Sequence, residues 1–165
     1  MLFRSGYLSD PHKARSQTGY VFTYNGTAIS WRSTKQTIVA TSSNHSEILA
    51  LHEASRECVW LRSVISHIQN TCGFSLSTGM LTPIFEDNTA CIAPVRGGYI
   101  KGDRTTHISP KFFYTHELHQ SRQIDVKQIR STDNLADLFT KTLPTLTVEK
   151  LVYGIGMRRL CKLQD

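Results

Sequence analysis

The stretch GYVFTYNGTAISW at residues 19–31 decides the fold class. It holds two short runs rich in β-branched and aromatic residues, and Asn25 and Gly26 separate them. Asn-Gly between two such runs is the strongest short-range signal for a β-hairpin, because both residues accept the positive φ angles of a tight turn. We predict an antiparallel hairpin here. We also predict an earlier strand within residues 2–8, shortened by the start of the chain, and a bordering segment at residues 38–40.

The periodicity changes after the hairpin. From Ser43 to Gln69 the apolar residues recur at steps of three or four, as on one face of a helix. These residues are Ile48, Leu51, Ala54, Cys58, Leu61, Ile65 and Ile68. Ser43 or Asn44 can cap the start, and Glu47 lies near the first turn, where a carboxylate suits the helix dipole. The sequence therefore predicts a long amphipathic helix.

Shorter elements follow the long helix. We predict a buried strand at residues 84–87, a short helix at 88–93 that Pro94 stops, and a basic loop through 97–104. A helix that Pro110 begins, a strand at 124–129, a helix at 133–141 and a weakly helical tail complete the order. A meander followed by alternating helices and strands predicts an α/β fold, with a mixed central sheet flanked by helices.

Length and composition narrow the class of protein. A chain of 165 residues fits one domain, and no run approaches the roughly 18 apolar residues of a membrane span. The apolar run at the start of the sequence is too short, and polar residues follow it too early, for a signal peptide. The four cysteines form no C-x-x-C pair, which argues against a zinc ribbon or a disulfide scaffold. We expect an intracellular protein of the cytoplasm or nucleus.

The positive charge is concentrated in the second half of the chain. Lys and Arg number 19 against 13 Asp and Glu, a formal net charge of +6. Residues 1–95 hold 7 basic and 6 acidic side chains, whereas residues 96–165 hold 12 and 7. This asymmetry favours a surface for a polyanion. A solubilising surface charge is the alternative.

Three acids stand at positions where α/β folds build crevices. Glu47 begins the long helix, Asp87 ends a strand, and Asp137 lies in NLADL at residues 134–138. Converging carboxylates need a cation, and hard oxygen ligands select Mg²⁺ or Mn²⁺. Two such ions about 4 Å apart could activate water and stabilise the leaving oxygen of a phosphodiester. The alternative is that each is an ordinary surface or capping acid, and spacing alone does not decide.

Local motifs favour the first interpretation. They occur in a fixed order along nearly the whole chain: SDP at 9–11, SQTGYVF at 16–22, ISWRSTKQ at 29–36, ATSS at 40–43, ECVWLR at 57–62, EDN at 86–88, THI at 106–108 and LADLFTKTLP at 135–144. In this order they resemble the ribonuclease H region that ends the Pol polyprotein of copia-type retrotransposons. Plant members are the most similar.

The resemblance implies a ribonuclease H-like fold that hydrolyses the RNA strand of an RNA–DNA hybrid, with two Mg²⁺ or Mn²⁺ ions held by four carboxylates. Three of the four match this chain as catalytic and metal-binding residues, namely Glu47, Asp87 and Asp137. Nucleic-acid contacts are expected from Asn88 to a ribose hydroxyl, from Ser43 and Asn44 at a helix N-terminus to a phosphate, and from Lys101, Arg104 and Lys111 to the backbone.

The fourth carboxylate is missing. Counting back from Gly6 puts Arg4 where the family has the aspartate of its first strand. Asp10 is a poor substitute, because it lies about 20 Å further along an extended strand and a turn carries it away. An arginine at this place would repel cations, so we predict a weak or inactive nuclease. The alternative function is a catalytically dead nucleic-acid-binding remnant of a transposon.

We expect residues 1–143 to form the ribonuclease H-like domain and residues 144–165 a C-terminal extension. The expected partners are an RNA–DNA hybrid or another nucleic acid and a reverse transcriptase polymerase domain from another chain. Trp31 and Trp60 are predicted as core or sheet-facing aromatics rather than as base-stacking platforms. The histidines of the helices are predicted as surface residues, and His107 as a structural contact.

Overall fold

The computed structural model describes residues 1–10, 12–73, 81–99 and 109–159. Its strands are β1 (Leu2–Gly6), β2 (Gln17–Tyr24), β3 (Thr27–Lys35), β4 (Thr82–Glu86) and β5 (Ile124–Gln128). Its α-helices are α1 (Ser43–Cys72), α2 (Thr89–Gly97), α3 (Ser109–Gln120) and α4 (Thr145–Gly154). Two short 3₁₀ helices, Ser131–Asp133 and Leu135–Phe139, lie between β5 and α4.

The strands form one mixed sheet in the order β3-β2-β1-β4-β5. β1 pairs antiparallel with β2 and parallel with β4, and the β2–β3 hairpin is antiparallel. Asn25 and Gly26 turn this hairpin with φ angles of 49° and 78°. The predicted hairpin and the α/β class with a mixed central sheet are confirmed. β1 is central, so a side chain on it can reach residues of both halves of the sheet.

The two faces of the sheet carry separate cores. Successive strand residues point to opposite faces, so Phe3 joins the larger core and Leu2 the smaller one. The larger core lies against α1, α2 and α3 and includes Ile48, Ile84 and Phe112. The smaller core includes Val21, Ala136 and Ile155 and lies against the second 3₁₀ helix and the end of α4.

The N-cap of helix α1 is Ser42, one residue before the first of the two predicted caps. The Ser42 hydroxyl, on an extended backbone, accepts the His45 N–H and caps the helix, whereas Ser43 and Asn44 already lie inside it. The helix ends at Cys72, followed by Gly73 in the left-handed conformation with φ 71°. Its first half forms the predicted buried face, and Cys58 is in the core.

The second half of α1 departs from the predicted pattern. Ile65 and Ile68 continue the apolar spacing, yet they are 38% and 51% exposed. His52, predicted on the surface, is buried instead, since it follows Ile48 by one helical turn and makes an edge contact with the ring of Tyr114. The apolar spacing therefore identified which face of α1 is buried, but not how far along the helix that face is covered by other elements.

Pro94 does not stop helix α2, which continues to Gly97. Proline removes one donor from the helix, but the Pro94 carbonyl accepts the Gly98 N–H. The Arg96 guanidinium donates to the Val126 carbonyl of β5 and holds the last turn against the sheet. One lost hydrogen bond is thus offset by two tertiary ones.

The helix predicted at residues 133–141 is present only in part, and it is not an α-helix. Two 3₁₀ helices occupy this region, and Asn134 separates them. The Asn134 side-chain oxygen accepts the Ala136 N–H and caps the second 3₁₀ helix, while the side-chain amide of Asn134 donates to the Phe3 carbonyl at 3.0 Å. An asparagine that binds both the local backbone and β1 interrupts the regular helical hydrogen bonds.

The tryptophans are not core residues. Trp31 is 62% exposed on the edge strand β3, and Trp60 is 57% exposed on α1. Of the bordering segment at residues 38–40, which lies outside β3, only Ala40 is buried. The position of a strand at a sheet edge depends on topology, which local composition does not reveal. α3 includes Pro110 in its first turn, as predicted.

Residues after 143 also contribute to the packing. Leu151 of α4 is 3% exposed, and the Ala28 N–H of β3 donates to the Ile155 carbonyl. A domain boundary at residue 143 stays a prediction. Among the helices of the described ranges, none combines the length and apolarity that crossing a bilayer requires.

Gly19 allows β2 to approach the second 3₁₀ helix, so Gly19→Ala should destabilise the fold. A Cβ at this position would lie 2.7 Å from the Phe139 Cβ and 3.2 Å from the Ala136 carbonyl oxygen. Overpacking of this kind costs about 1–3 kcal/mol, measurable by urea unfolding. Gly97→Ala is the matched control, since its Cβ would meet no atom within 4 Å. Equal stability of Gly19→Ala and the parent would contradict this packing.

Candidate active site

Three separate elements deliver carboxylates to one place. Glu47 comes from the start of α1, Asp87 directly follows β4, and Asp137 lies on the second 3₁₀ helix. All three are ion-paired with the same residue, Arg4 of β1. The structure therefore brings together the three acids that the sequence predicted, around Arg4.

The geometry of the cluster is asymmetric. The Arg4 Nε lies 3.6 Å from the Glu47 Oε1 and 3.7 Å from the Asp137 Oδ1. The Arg4 Nη1 donates directly to the Asp87 Oδ1. The side chains of Glu47, Asp87 and Asp137 are only 5%, 2% and 11% exposed. One guanidinium thus serves as the common counter-ion of three largely buried carboxylates.

The sheet register explains why Arg4 points into this cluster. Arg4 pairs with Gly19 across the β1–β2 ladder, and paired residues share one face of a sheet. On that face Gly19 lies under the second 3₁₀ helix, which carries Asp137. Because Gly19 has no side chain, this helix approaches the sheet closely enough for Asp137 to reach Arg4.

Two residues that the sequence reasoning missed hold Asp87 in position. The Ser131 hydroxyl donates to the Asp87 Oδ2 at 2.5 Å, and the Asn134 amide lies 3.4 Å from the Asp87 Oδ1. Asn134 is fully buried. For Asn134 the sequence does contain a local signal, because an asparagine directly before LADL is a typical helix cap. Both residues therefore act as positioning residues for the carboxylate.

Glu47 and Asp137 have further partners. The Ser5 backbone N–H donates to the Glu47 Oε2 at 2.7 Å. The Lys141 Nζ lies 2.7 Å from the Asp137 Oδ2, one turn further along the chain. Asp137 consequently lies between two cations, Arg4 and Lys141.

Asp10 does not join the carboxylate cluster. Its Oδ2 is paired with the Lys35 Nζ at 2.9 Å, and its Oδ1 accepts the His12 N–H. These contacts fix the turn after β1, away from Arg4. The prediction that a turn carries Asp10 out of the cluster agrees with this arrangement.

The chain resembles known proteins in both sequence and structure. No family model matches it. It is 28% identical over 148 residues to the retrovirus-related Pol polyprotein from transposon TNT 1-94 of Nicotiana tabacum, covering 90% of this chain and 10% of that one. It is equally identical, 28% over 149 residues, to the Pol polyprotein from transposon RE1 of Arabidopsis thaliana, covering 88% of this chain and 9% of that one. The chain spans about a tenth of the length of these curated relatives.

Solved structures decide the fold. LC11-RNase H1, isolated from compost by a metagenomic approach, superposes with a TM-score of 0.58 at 17% identity, over 92% of this chain and 95% of that one. The same enzyme in complex with an RNA/DNA hybrid superposes with a TM-score of 0.55 at 17% identity, over 84% and 91% of the two chains. The chain has a ribonuclease H-like fold. Its sequence relatives are retrotransposon Pol polyproteins.

Burial is the largest influence on the protonation of the clustered carboxylates. It raises the pKa of Glu47 to about 8, although the charge of Arg4 acts in the opposite direction. Burial also acts to raise the pKa of Asp87, but the Ser131 hydroxyl and Arg4 outweigh it and hold that pKa below its usual value. Asp87 is therefore the ionised partner of Arg4, and Glu47 is the acid with the weaker charge.

Glu86, which the sequence reasoning also missed, is a further buried acid beside the cluster. It is 0% exposed, and its Oε1 accepts the Asn88 N–H. Its Oε2 has no hydrogen-bond partner among the described residues. Burial and the nearby charge of Glu47 raise the pKa of Glu86 to about 10, so this side chain is neutral at neutral pH. Sequence alone marks Glu86 only as the neighbour of Asp87.

Divalent ions do not fit this arrangement of the carboxylate cluster. The resemblance implies that Glu47, Asp87 and Asp137 would hold them, but the Arg4 guanidinium already lies between these carboxylates. Across the described ranges, no cluster of three or more His, Cys, Asp or Glu side chains is arranged to hold a metal ion. A guanidinium cannot lose its positive charge in a protein, so it opposes cation binding at every working pH.

The predicted nucleic-acid contacts are only partly assembled. Asn88 caps α2 by accepting the Ala90 N–H, and Ser43 and Asn44 lie in the first turn of α1. Lys111 lies near the start of α3, and its backbone contacts His52 of α1. Lys101 and Arg104, together with the THI motif, fall outside the described residues. The roles of all these residues in binding stay predictions.

Glu86→Gln should flatten the pH dependence of stability. Between an unfolded pKa near 4.5 and the folded pKa of about 10, folding of the parent requires Glu86 to take up a proton. The stabilisation by this group is therefore complete at low pH and is lost as pH rises, by on the order of 1 kcal/mol per pH unit. Gln cannot ionise, so the variant should gain stability over the parent progressively from about pH 5 to pH 9 in urea unfolding.

Glu149→Gln is the matched control for this measurement, because Glu149 is 57% exposed and lies on α4. The free energy of unfolding of Glu149→Gln should change with pH in the same way as that of the parent. If the free energy of unfolding of Glu86→Gln also changed with pH as that of the parent does, Glu86 would not be held neutral in the folded protein.

Proposed function

We propose that this chain recognises RNA–DNA hybrids through a ribonuclease H-type site, and that its hydrolysis of the RNA strand is impaired by Arg4. Three findings support the proposal: the ribonuclease H-like fold, the relationship to retrotransposon Pol polyproteins, and the hybrid-bound structure of one structural neighbour. The basic second half of the chain provides charge that suits a nucleic-acid backbone.

The ion pairs of Arg4 carry the proposal. A site that hydrolyses phosphodiesters with divalent ions needs uncompensated carboxylates, and divalent ions in such sites supply Lewis acidity and an activated water. Here Arg4 already compensates the charge of Asp87, and Asp137 forms ion pairs with both Arg4 and Lys141. Glu47, Asp87 and Asp137 keep the family positions for catalysis, while Arg4 removes the conditions under which they would bind metal.

Substrate contacts are assigned to residues around this cluster. Asn88 uses its carbonyl oxygen to cap α2, and we assign its amide to a ribose hydroxyl of the RNA strand. Ser43 and Asn44 lie at the N-terminus of α1, where backbone N–H groups favour a phosphate. Lys111 is assigned to the sugar–phosphate backbone, and Lys101 and Arg104, which lie outside the described residues, are assigned the same role.

A second candidate function is a hybrid-binding module without chemistry. Arg4 gives the three acids a permanent cation, so their mutual repulsion is relieved without any bound ion. A domain of this kind could persist as a binder after it lost cleavage. The two candidates differ in whether a carboxylate at position 4 restores activity.

Arg4→Asp should restore cleavage of a labelled RNA–DNA hybrid in Mg²⁺ or Mn²⁺. The parent should cleave near background, and the variant should be faster by roughly two orders of magnitude, because a bridging ligand contributes several kcal/mol to charge stabilisation. Arg4→Asp combined with Asp87→Asn is the control and should return to background. Thermal unfolding with and without Mg²⁺ establishes that the variants are folded.

The remaining outcomes are equally decisive. Efficient cleavage by the parent, abolished by Glu47→Gln or Asp87→Asn, would overturn the impairment. Hybrid binding by both proteins without any rescue by Arg4→Asp would favour the binding module.

A further inference from the structure

We propose that Lys141, Lys35, Arg32 and Lys111 form a cationic track that binds the phosphodiester backbone of a nucleic acid. This inference rests on the proposed recognition of hybrids and specifies the surface that performs it. Two of the four residues, Arg32 and Lys35, come from the near-neutral first half of the chain. The track starts at the carboxylate cluster, crosses the end of β3 and reaches the start of α3.

The first part of the track is an open cleft of about 410 Å³ beside the carboxylate cluster. Lys35, at the end of β3, and Lys141 are its two lysines. Lys141 is paired with Asp137, so this cleft directly adjoins the cluster. The turn at Asp10 and the segment from Leu138 to Thr142 form its walls.

The second part is a smaller cleft of about 100 Å³, lined by three cations and a single acid. The cations are Arg32, Lys35 and Lys111, and the acid is Glu53 of α1. Lys35 lines both clefts, so the two parts adjoin at one side chain. The lining therefore has an excess of positive charge where β3, α1 and α3 meet.

The ion pairs of the track expose their cations and bury their acids. The Lys35 side chain is 62% exposed while that of its partner Asp10 is 5% exposed. Lys141 is 35% exposed, against 11% for Asp137. A ligand that approaches from solvent therefore meets the ammonium groups first. Buried acids fix these lysines in place without presenting a negative surface.

Arg32 is positioned in a comparable way. It hydrogen-bonds with the side chain of Tyr20, its cross-strand partner, and remains exposed. A guanidinium held by a buried tyrosine is oriented before the ligand arrives, which reduces the entropy lost on binding.

The chemistry of the track selects backbone phosphates rather than bases. Apart from Asp10 and Glu53, the charged groups that line it are ammonium and guanidinium groups, which pair with phosphate oxygens at any nucleotide sequence. Such contacts release condensed counter-ions, so each one adds about 0.9 to the slope of log affinity against log salt concentration. Binding along the track should therefore be sequence-independent and steeply salt-dependent.

The test compares two triple variants of equal charge change. Arg32→Gln, Lys35→Gln and Lys111→Gln together remove three cations of the track and spare the carboxylate cluster. Arg122→Gln, Lys127→Gln and Arg159→Gln are the control, because they lie outside both clefts and Lys127 belongs to β5 at the opposite sheet edge. Affinity for a labelled RNA–DNA hybrid and for a DNA duplex of the same sequence is measured by fluorescence anisotropy over a potassium chloride titration. Thermal unfolding confirms that both variants are folded.

We expect the track variant to lose about 10- to 100-fold in affinity at moderate salt, and its salt slope to decrease by about 3. The control should keep the slope of the parent. An unchanged slope in the track variant, or an equal loss in the control, would overturn the track while leaving hybrid recognition intact. Loss of duplex binding in the track variant, with no hybrid bound by the parent, would support the track and overturn the proposed function. A parent that binds neither probe at low salt would overturn both.

Discussion

The burial of three acids around a single cation is the constraint around which this domain is arranged. Acids drawn from α1, the end of β4 and the second 3₁₀ helix lie within reach of one another, and burial makes their ionisation costly. Arg4 offsets this cost from the centre of the sheet. Because β1 pairs with both β2 and β4, the ion pairs of Arg4 connect elements from both halves of the fold. Removing such a cation leaves uncompensated charges, which costs more than the ion pairs contribute when intact.

This constraint also accounts for the local structure around the cluster. Asp137 can reach Arg4 only if its helix lies close to β2, and Gly19 permits that approach. The buried amide of Asn134 joins the Phe3 carbonyl to Asp87, so β1 and the end of β4 are fixed relative to each other. The Asn134 side-chain oxygen caps the second 3₁₀ helix by accepting the Ala136 N–H. An α-helix over the same residues would place Asn134 inside the helix and break this contact. The 3₁₀ conformation follows from these competing hydrogen bonds.

The sequence predicted those features that depend on local chemistry. The hairpin follows from Asn25 and Gly26, and the buried face of α1 from apolar spacing. The order of the motifs implied that Glu47, Asp87 and Asp137 converge and that Arg4 lies beside them. Other features depend on contacts between distant residues. The burial of Glu86, the roles of Ser131 and Asn134 and the exposure of Trp31 arise only once the strands are ordered, so no window of sequence contains them.

The internal cation changes how the domain meets a polyanion. In a site that awaits divalent ions, uncompensated carboxylates repel phosphates until the ions arrive. Here Arg4 compensates the buried acids, and Lys35 and Lys141 face outward from acids that lie beneath them. Repulsion toward a nucleic-acid backbone is therefore reduced without any bound ion. The charge that opposes metal binding also favours the approach of phosphates, so the proposed impairment of cleavage and the proposed hybrid binding have one physical origin.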